Sequence, residues 1–200
     1  MISFIVLFVA GILQYRTFLP GTHRIVEFAD LDNDKQEETY ILSLGGLEIY
    51  QGQKKIWITP KDWWVDGFVL ADSNNDGNKD INLSVWKPGN YGGSKPFWVT
   101  NNDPSVKNHL FVFDLVGGEV QSVWQSSNLG RPNCQFDILD IDDDGENELV
   151  VIEGEYSYGR ECEGRHMAVW KWDEWGFFNG WRSKEGRYDD LTKIQGLELD

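Results

Sequence analysis

The sequence predicts an all-β protein, built as a β-propeller-like array of antiparallel blades. Short runs rich in Val, Ile, Trp and Phe are separated by Gly and Asn, and no run keeps apolar residues at a helical period over a dozen positions. A nine-residue acidic pattern also recurs, beginning at Asp30, Asp72 and Asp140. These starts lie 42 and 68 residues apart, which suits one four-stranded sheet per repeat.

The chain begins with an uncharged run, Ile2 to Leu13, which has the length of a signal-peptide hydrophobic region and is too short to span a bilayer comfortably. We therefore predict a signal or anchor segment over residues 1–22 and an extracytoplasmic protein, secreted or at the cell surface. No Lys or Arg precedes the run and no small-x-small cleavage site follows it before Pro20. An uncleaved anchor, a buried strand and a true start further upstream are the alternatives.

The rest of the chain, residues 23–200, is predicted to be one propeller-like domain. In each repeat an alternating or apolar run precedes the acidic loop and another follows it, which predicts strand, loop, strand. A fragment of a fourth copy is predicted because Gly196 to Asp200 resembles Phe28 to Asp32 and then stops. The predicted repeats lie near 24–60, 61–130 and 131–185, with the partial copy at 186–200.

Within the second repeat, the Gly- and Pro-rich stretch from Lys87 to Asn108 is the longest irregular segment. Its composition predicts a long surface loop. Such a loop is a candidate contact surface for a partner.

The three acidic loops, numbered one to three in chain order, carry oxygen ligands at positions 1, 3, 5 and 9. This spacing lets a tightly wound loop surround a hard cation that accepts six to eight oxygens, and Ca²⁺ is the predicted ion. Eleven of the 33 acidic residues fall in these clusters, where their mutual repulsion favours a bound cation. The predicted ligands are Asp30, Asp32, Asp34 and Glu38 in loop one, Asp72, Asn74, Asp76 and Asp80 in loop two, and Asp140, Asp142, Asp144 and Glu148 in loop three.

Position 6 of such a loop must turn sharply, which glycine does without steric cost. Gly77 and Gly145 stand there in loops two and three, whereas loop one has Lys35, with a positive charge and an unfavourable left-handed conformation. The alternative is an acidic turn without an ion, because Asp, Asn and Gly favour turns for backbone reasons alone. This alternative is stronger for loop one than for the other two.

An EF-hand does not fit the pattern. It requires flanking helices and a bidentate Glu at position 12 of the loop. Position 12 is apolar in all three copies, with Ile41, Leu83 and Val151.

The two cysteines, Cys134 and Cys162, precede the segments Gln135 to Leu139 and His166 to Trp170, both predicted to be strands. The two side chains could therefore face each other across one sheet. An even cysteine count in an exported chain favours a disulfide, with two buried thiols as the alternative.

At the loop residues the chain resembles the FG-GAP/VCBS repeat family, the calcium-loop β-propeller repeats of integrin α-subunits and many bacterial surface proteins. The resemblance covers roughly Arg24 to Trp181, and its specific motif is D-x-D-x-D-G-x-x-D/E. It implies a propeller in which calcium is structural. The FG-GAP dipeptides are not evident, and three repeats are fewer than the family's usual number of blades, so a partial propeller, a truncated one and completion by oligomerisation all stay open.

Charge and missing motifs narrow the function classes. A formal charge of -15 opposes binding to a nucleic-acid backbone. The sequence has no H-E-x-x-H, G-x-S-x-G, Walker-type or G-x-G-x-x-G motif, and its paired carboxylates are largely explained by the calcium spacing. We therefore predict a non-enzymatic interaction or scaffold module, whose ligand, protein or glycan, and oligomeric state stay open.

The tryptophans suggest an alternative function. Trp170, Trp172, Trp175 and Trp181 crowd one segment, where we expect core packing between blades, because Trp170 and Trp172 share one face of a strand. If exposed, such rings would instead stack on sugars. A carbohydrate-binding module, or the propeller domain of a polysaccharide-active enzyme, is therefore the alternative.

Overall fold

The computed structural model describes residues 4–9, 12–19, 22–90, 103–157 and 159–196. Their regular secondary structure is antiparallel β-strand, apart from a short 3-10 helix at Leu191–Gly196. The all-β prediction is confirmed. The structure contains, over these residues, no helix long and apolar enough to cross a membrane.

The strands form three separate sheets, in each of which strands consecutive in sequence pair with one another. The first sheet contains β1 (Phe4–Val9), β2 (Ile12–Leu19), β3 (Thr22–Ala29), β4 (Glu38–Ser43), β5 (Gly46–Gln51) and β6 (Lys54–Ile58). The second contains β7 (Trp64–Ala71), β8 (Asp80–Pro88), β9 (Val106–Val116) and β10 (Glu119–Gln125). The third contains β11 (Asn133–Leu139), β12 (Glu148–Gly154), β13 (Gly164–Asp173) and β14 (Gly176–Arg182). Their arrangement as blades of a propeller remains a proposal.

The two ends of the chain carry the predicted signal or anchor segment and the predicted partial fourth copy. The N-terminal apolar run forms β1 and the start of β2, and β2 pairs with β3. The signal or anchor role of residues 1–22 stays a prediction, and positions 1–3, 10, 11, 20 and 21 lie outside the described residues. At the other end, the prediction of a partial fourth copy depends on residues that include 197–200. These four residues also lie outside the described part of the chain.

The second sheet lies between the other two and shares a core with each. Leu47 of β5 belongs to the same buried cluster as Leu83 and Phe111 of the second sheet. On the opposite side, Leu110 of β9 packs in a cluster with Leu149 of β12. Because β8 has a neighbouring sheet on each face, it is buried from Asp80 to Lys87 and does not show the alternation of a half-exposed strand.

The stretch from Lys87 to Asn108 is less irregular than predicted. Strand β8 continues to Pro88 and β9 begins at Val106, so that Lys87 and Lys107 are partners in the sheet. Lys87 and Asn108 are both buried. The Gly- and Pro-rich connection between β8 and β9 is therefore shorter than predicted. Residues 91–102 lie outside the described part of the chain.

A hydroxyl contact recurs on β5, β9 and β13, each of which is the second strand after an acidic loop. There a backbone N–H donates to a Ser or Thr hydroxyl that follows the next strand, and the backbone N–H of that Ser or Thr donates to a carbonyl in return. The pairs are Leu47 with Thr59, Leu110 with Ser126 and Met167 with Ser183, at 3.1, 3.0 and 3.0 Å. The three sheets are thus locally equivalent outside the acidic loops as well.

Cys134 and Cys162 form a disulfide, as predicted, with an S–S distance of 2.06 Å. It connects β11 with the residues just before β13 and passes close to Gly154 at the end of the intervening strand β12. A Cβ at Gly154 would lie 2.5 Å from the Cys134 sulfur and 2.8 Å from the Cys162 sulfur. A disulfide is compatible with an extracytoplasmic location.

Candidate metal loops

Each acidic loop connects two paired strands: loop one joins β3 to β4, loop two joins β7 to β8, and loop three joins β11 to β12. Loops two and three touch, since the Asn147 N–H donates to Asn75 Oδ1 at 2.8 Å and the Asn75 amide donates to the Asn147 carbonyl at 3.2 Å. Loop one contacts the turn between β9 and β10, where the Gly118 N–H donates to Asp32 Oδ2 at 2.8 Å. The three loops therefore lie at one end of the sheets.

The same backbone conformation shapes all three loops. The carboxylate at position 1 accepts the N–H groups of positions 5 and 6, and that at position 5 accepts the N–H of position 7. Positions 4 and 6 have positive φ angles, in the left-handed region. These residues are Asn33 (58°), Asn75 (58°) and Asp143 (60°) at position 4, and Lys35 (71°), Gly77 (92°) and Gly145 (92°) at position 6.

Lys35 thus adopts the left-handed conformation that the sequence predicts for it. A residue with a Cβ pays about 1 to 2 kcal/mol for this backbone geometry, whereas glycine does not. The fold of loop one consequently tolerates Lys35, although at a cost in stability.

The carboxylate at position 9 is buried in each loop. Glu38 and Asp80 are fully buried, and Glu148 is 1% exposed. In every loop one of its oxygens accepts the backbone N–H of position 2. The three distances are 3.2 Å from Leu31 to Glu38, 2.8 Å from Ser73 to Asp80 and 3.1 Å from Ile141 to Glu148. The second oxygen of this carboxylate differs from loop to loop.

In loop one the second oxygen, Glu38 Oε1, has no hydrogen-bond partner. Carboxylate oxygens of Asp30, Asp32 and Glu38 lie within 4.8 Å of one another and could hold a metal ion. Burial, with a smaller contribution from the neighbouring aspartates, raises the pKa of Glu38. A buried oxygen without a donor, beside two further carboxylates, fits a cation.

In loop two the second oxygen, Asp80 Oδ1, likewise has no hydrogen-bond partner. The carboxylate of Asp114, on β9, lies beside it. Burial, together with Asp114, raises the pKa of Asp80 to about 7. In the same loop, the Asp76 N–H donates to Asn74 Oδ1 at 3.1 Å. Asp80 is buried and Asp114 is half-buried, and two carboxylates this close favour a shared proton or cation.

Loop three differs from both, because a side chain supplies a positive charge. The Lys171 ammonium, on β13, lies 2.9 Å from Asp142, 3.4 Å from Asp144 and 3.3 Å from Glu148 Oε1. Hydrogen bonds to Asp142 and Glu148 raise the pKa of Lys171. Oxygens of Asp140, Asp142 and Glu148 lie within 4.8 Å of one another, as in loop one.

Lys171 is not among the site residues predicted from the sequence. Its place in the strand pairing identifies it. Trp170 on β13 pairs with Leu149 on β12, and because the strands are antiparallel the next residue, Lys171, lies opposite Glu148. Strand pairing of this kind is visible only in the folded chain.

The donor set suits a hard cation, since it consists of carboxylate and amide oxygens with no imidazole or thiolate among them. Among the described residues, three carboxylates converge within 4.8 Å in loops one and three but not in loop two. Position 12, where an EF-hand carries its bidentate glutamate, falls within a strand in all three copies, namely β4, β8 and β12.

In comparisons with known proteins, no family model, no curated protein and no solved structure matches the chain. The likeness to FG-GAP/VCBS repeats therefore rests on the loop residues and remains a proposal.

Within the part of the chain that the structure describes, most tryptophans are packed. Trp170 and Trp172 are half-buried, and the Trp124 ring meets those of Trp172 and Phe177 edge-on, with centroids 6.1 and 5.6 Å apart. Trp175, by contrast, is 87% exposed. The prediction of packing therefore holds for Trp170 and Trp172, and for Trp181, which packs against a core cluster of the third sheet, but it is wrong for Trp175.

A cavity of about 460 Å³ lies between the second and third sheets. Trp124, Trp170 and Phe177 contribute aromatic surface to its lining, and Arg182 and Glu153 contribute charge. The Arg182 guanidinium donates to both carboxylate oxygens of Glu153 at 2.9 Å. No pattern in the sequence predicts this cavity.

Proposed function

We propose that this protein is a non-enzymatic, extracytoplasmic interaction or scaffold module that calcium stabilises through its acidic loops. The observation that carries the proposal is the pair of fully buried carboxylate oxygens, Glu38 Oε1 and Asp80 Oδ1, that have no hydrogen-bond partner. A buried charge without a partner is costly, and a bound cation removes that cost. Its binding free energy then adds to the stability of the fold.

The loops occupy positions suited to a structural role. They connect strand pairs at one end of the sheets, and hydrogen bonds link loops two and three directly. An ion in loop two would therefore order contacts that reach the third sheet. The proposed calcium acts on the shape of that surface and takes no part in a reaction.

Thermal unfolding in EDTA and in excess Ca²⁺ tests the proposal. At a calcium concentration 100-fold above Kd, each site adds about 2.7 kcal/mol. For a domain of this size we expect the Tm to rise by roughly 5 to 10 °C per occupied site. Equal Tm values in EDTA and calcium would overturn the proposal.

Asp80→Asn separates site binding from general charge screening. The change keeps the shape of the side chain but removes the buried charge, so we expect much of the calcium-induced rise in Tm to be lost. Glu174→Gln, an exposed residue in the turn between β13 and β14, is the matched control and should leave the rise intact.

The cavity supports carbohydrate binding as a second candidate function. Its volume and its mixture of aromatic and charged groups are typical of sites for small polar ligands, and aromatic faces stack on sugar rings. A glycan array, followed by titration of the best sugar against tryptophan fluorescence, tests it. Trp170→Ala should abolish binding, while Trp175→Ala, at an exposed ring outside the cavity lining, should not. Silence on the array would exclude this candidate.

A further inference from the structure

The residue opposite position 9 has a different charge in each sheet. In the first sheet Glu38 on β4 pairs with Gln51 on β5. In the second, the pairing of Ile81 with Phe113 places Asp114 beside Asp80. In the third, Lys171 lies beside Glu148 and binds it. One register position therefore carries an amide, a carboxylate and an ammonium.

Each of these three side chains affects the charge or the hydrogen bonding of the carboxylates in its own loop. The Gln51 amide donates to Asp34 Oδ2 at 2.8 Å, so it neither adds to nor cancels the charge of loop one. Asp114 adds a negative charge beside Asp80 of loop two. Lys171 contacts three of the four predicted ligands of loop three and supplies the positive charge that an ion would supply.

The second oxygen of the position-9 carboxylate has a partner only where the opposing residue is the lysine. Glu38 Oε1 and Asp80 Oδ1 have no hydrogen-bond partner, whereas the corresponding oxygen of Glu148 lies 3.3 Å from the Lys171 ammonium. A second positive charge placed among the same carboxylates would be repelled by Lys171. Loops one and two thus lack a counter-charge that loop three already has.

We propose that this opposing residue sets the calcium affinity of each loop: Asp114 is an additional ligand that makes loop two the tightest site, Gln51 leaves loop one a weaker site, and Lys171 replaces the ion in loop three. The chain then binds two calcium ions although it has three loops. The inference rests on the proposed function, which requires only that calcium binds and stabilises.

Exchange of the two opposing residues tests the inference. Calcium stoichiometry would be measured on the full chain by isothermal titration calorimetry, with equilibrium dialysis as a check. We expect two ions for the wild type, three for Lys171→Gln, which copies the arrangement of loop one, and one for Gln51→Lys, which copies that of loop three. The double exchange should return the number to two.

Asp114→Asn addresses the additional ligand. It should weaken the tighter of the two wild-type sites on the order of tenfold or more, because affinity in oxygen-ligand sites follows the number of charged ligands. The weaker site should keep its affinity. An unchanged tight site would remove Asp114 from the ligand set and overturn that part of the inference.

The possible results separate the two proposals. Three ions in the wild type, or an unchanged number in both single exchanges, would overturn the inference while leaving the proposed function intact. No ion in any variant would overturn both. If Lys171→Gln unfolds in EDTA, its Tm is measured during calcium addition: recovery to a folded state with three ions supports the inference, and failure to recover contradicts it.

Discussion

The Lys171 ammonium lies 3.3 Å from a carboxylate oxygen of Glu148, a side chain that is 1% exposed. The equivalent oxygens of Glu38 and Asp80 have no hydrogen-bond partner. Loops that share their ligand spacing and backbone conformation therefore leave their buried carboxylates in different electrostatic environments. This difference predicts different responses to the removal of metal and to substitution.

Lys171→Gln should destabilise the protein in EDTA, because Glu148 would lose the positive charge beside it. Lys171 is partly exposed and solvent screens the pair, so we expect a loss of about 1 to 2 kcal/mol in the free energy of unfolding. Urea unfolding in EDTA measures this loss. Lys54→Gln, at an exposed lysine on β6, is the control and should change stability by less than about 0.5 kcal/mol. Equal values for the two variants would contradict the role of Lys171.

Lys35→Gly should stabilise the metal-free protein, because Lys35 has a φ of 71°. Lys35→Ala removes the same charge but keeps a Cβ, so the comparison of these two variants isolates the backbone effect. We expect the glycine variant to be more stable than the alanine variant by about 1 kcal/mol. Urea unfolding in EDTA measures it, and an alanine variant that equals the glycine variant would show that the conformation is not strained.

Gly154→Ala should be destabilising, since the new Cβ would lie 2.5 Å from the Cys134 sulfur and 2.8 Å from the Glu163 carbonyl oxygen. Neither neighbour can move freely, because one belongs to a disulfide and the other to the backbone. We expect a loss of about 1 to 3 kcal/mol, measured by chemical unfolding. Gly130→Ala, where nothing lies within 4 Å of the added Cβ, is the control. A neutral Gly154→Ala would mean that the strands are not packed this closely.

Removal of the disulfide, as Cys134→Ser with Cys162→Ser, should lower stability by about 3 to 4 kcal/mol through the entropy of the unfolded chain. The two residues are 28 apart in sequence, which sets this range. Reduction of the wild type should reproduce the loss, and the denatured oxidised protein should show no free thiol. Two titratable thiols in the oxidised protein would contradict the bond.

His109 should make stability depend on pH. It is fully buried, its Nδ1–H donates to the Ser126 carbonyl at 3.2 Å, and burial lowers the pKa of His109. The folded state thus favours the neutral ring, so this contribution is complete above the unfolded pKa of about 6.5 and is lost as pH falls through the lower folded value.

The stability advantage of the wild type over His109→Gln, measured in EDTA, should therefore shrink between pH 7.5 and 5. His166→Gln is the comparison, since His166 makes the corresponding contact with the Ser183 carbonyl at 3.1 Å but is only half-buried. A constant difference between wild type and His109→Gln across this range would show that His109 does not titrate with folding.

The sequence predicted the parts of the fold that depend on local pattern. Turn chemistry fixes the acidic loops, and apolar runs on either side of them are the strands they join. The disulfide also followed, because Cys134 and Cys162 sit at the edges of predicted strands. The connection after β8 is shorter than the predicted loop from Lys87 to Asn108, because β8 continues to Pro88 and β9 already begins at Val106.

Cross-strand neighbours could not be predicted in this way. Lys171 lies 23 residues after Glu148, and Asp114 lies 34 after Asp80, with loops of different lengths between them. Their pairing depends on register, which the buried faces of the sheets determine. From the sequence, the loops could be ranked as calcium sites only by the residue at position 6. By our inference, the residue opposite position 9 on the neighbouring strand has the larger effect on calcium affinity.

Anomalous diffraction from crystals grown in calcium is the most direct test of calcium binding. We predict anomalous peaks in loops one and two, with Glu38 Oε1 and Asp80 Oδ1 about 2.3 to 2.6 Å from the ions, and none in loop three, where the Lys171 ammonium remains. If loops one and two show no peak at saturating calcium, and neither oxygen contacts a cation, the proposed calcium binding is wrong.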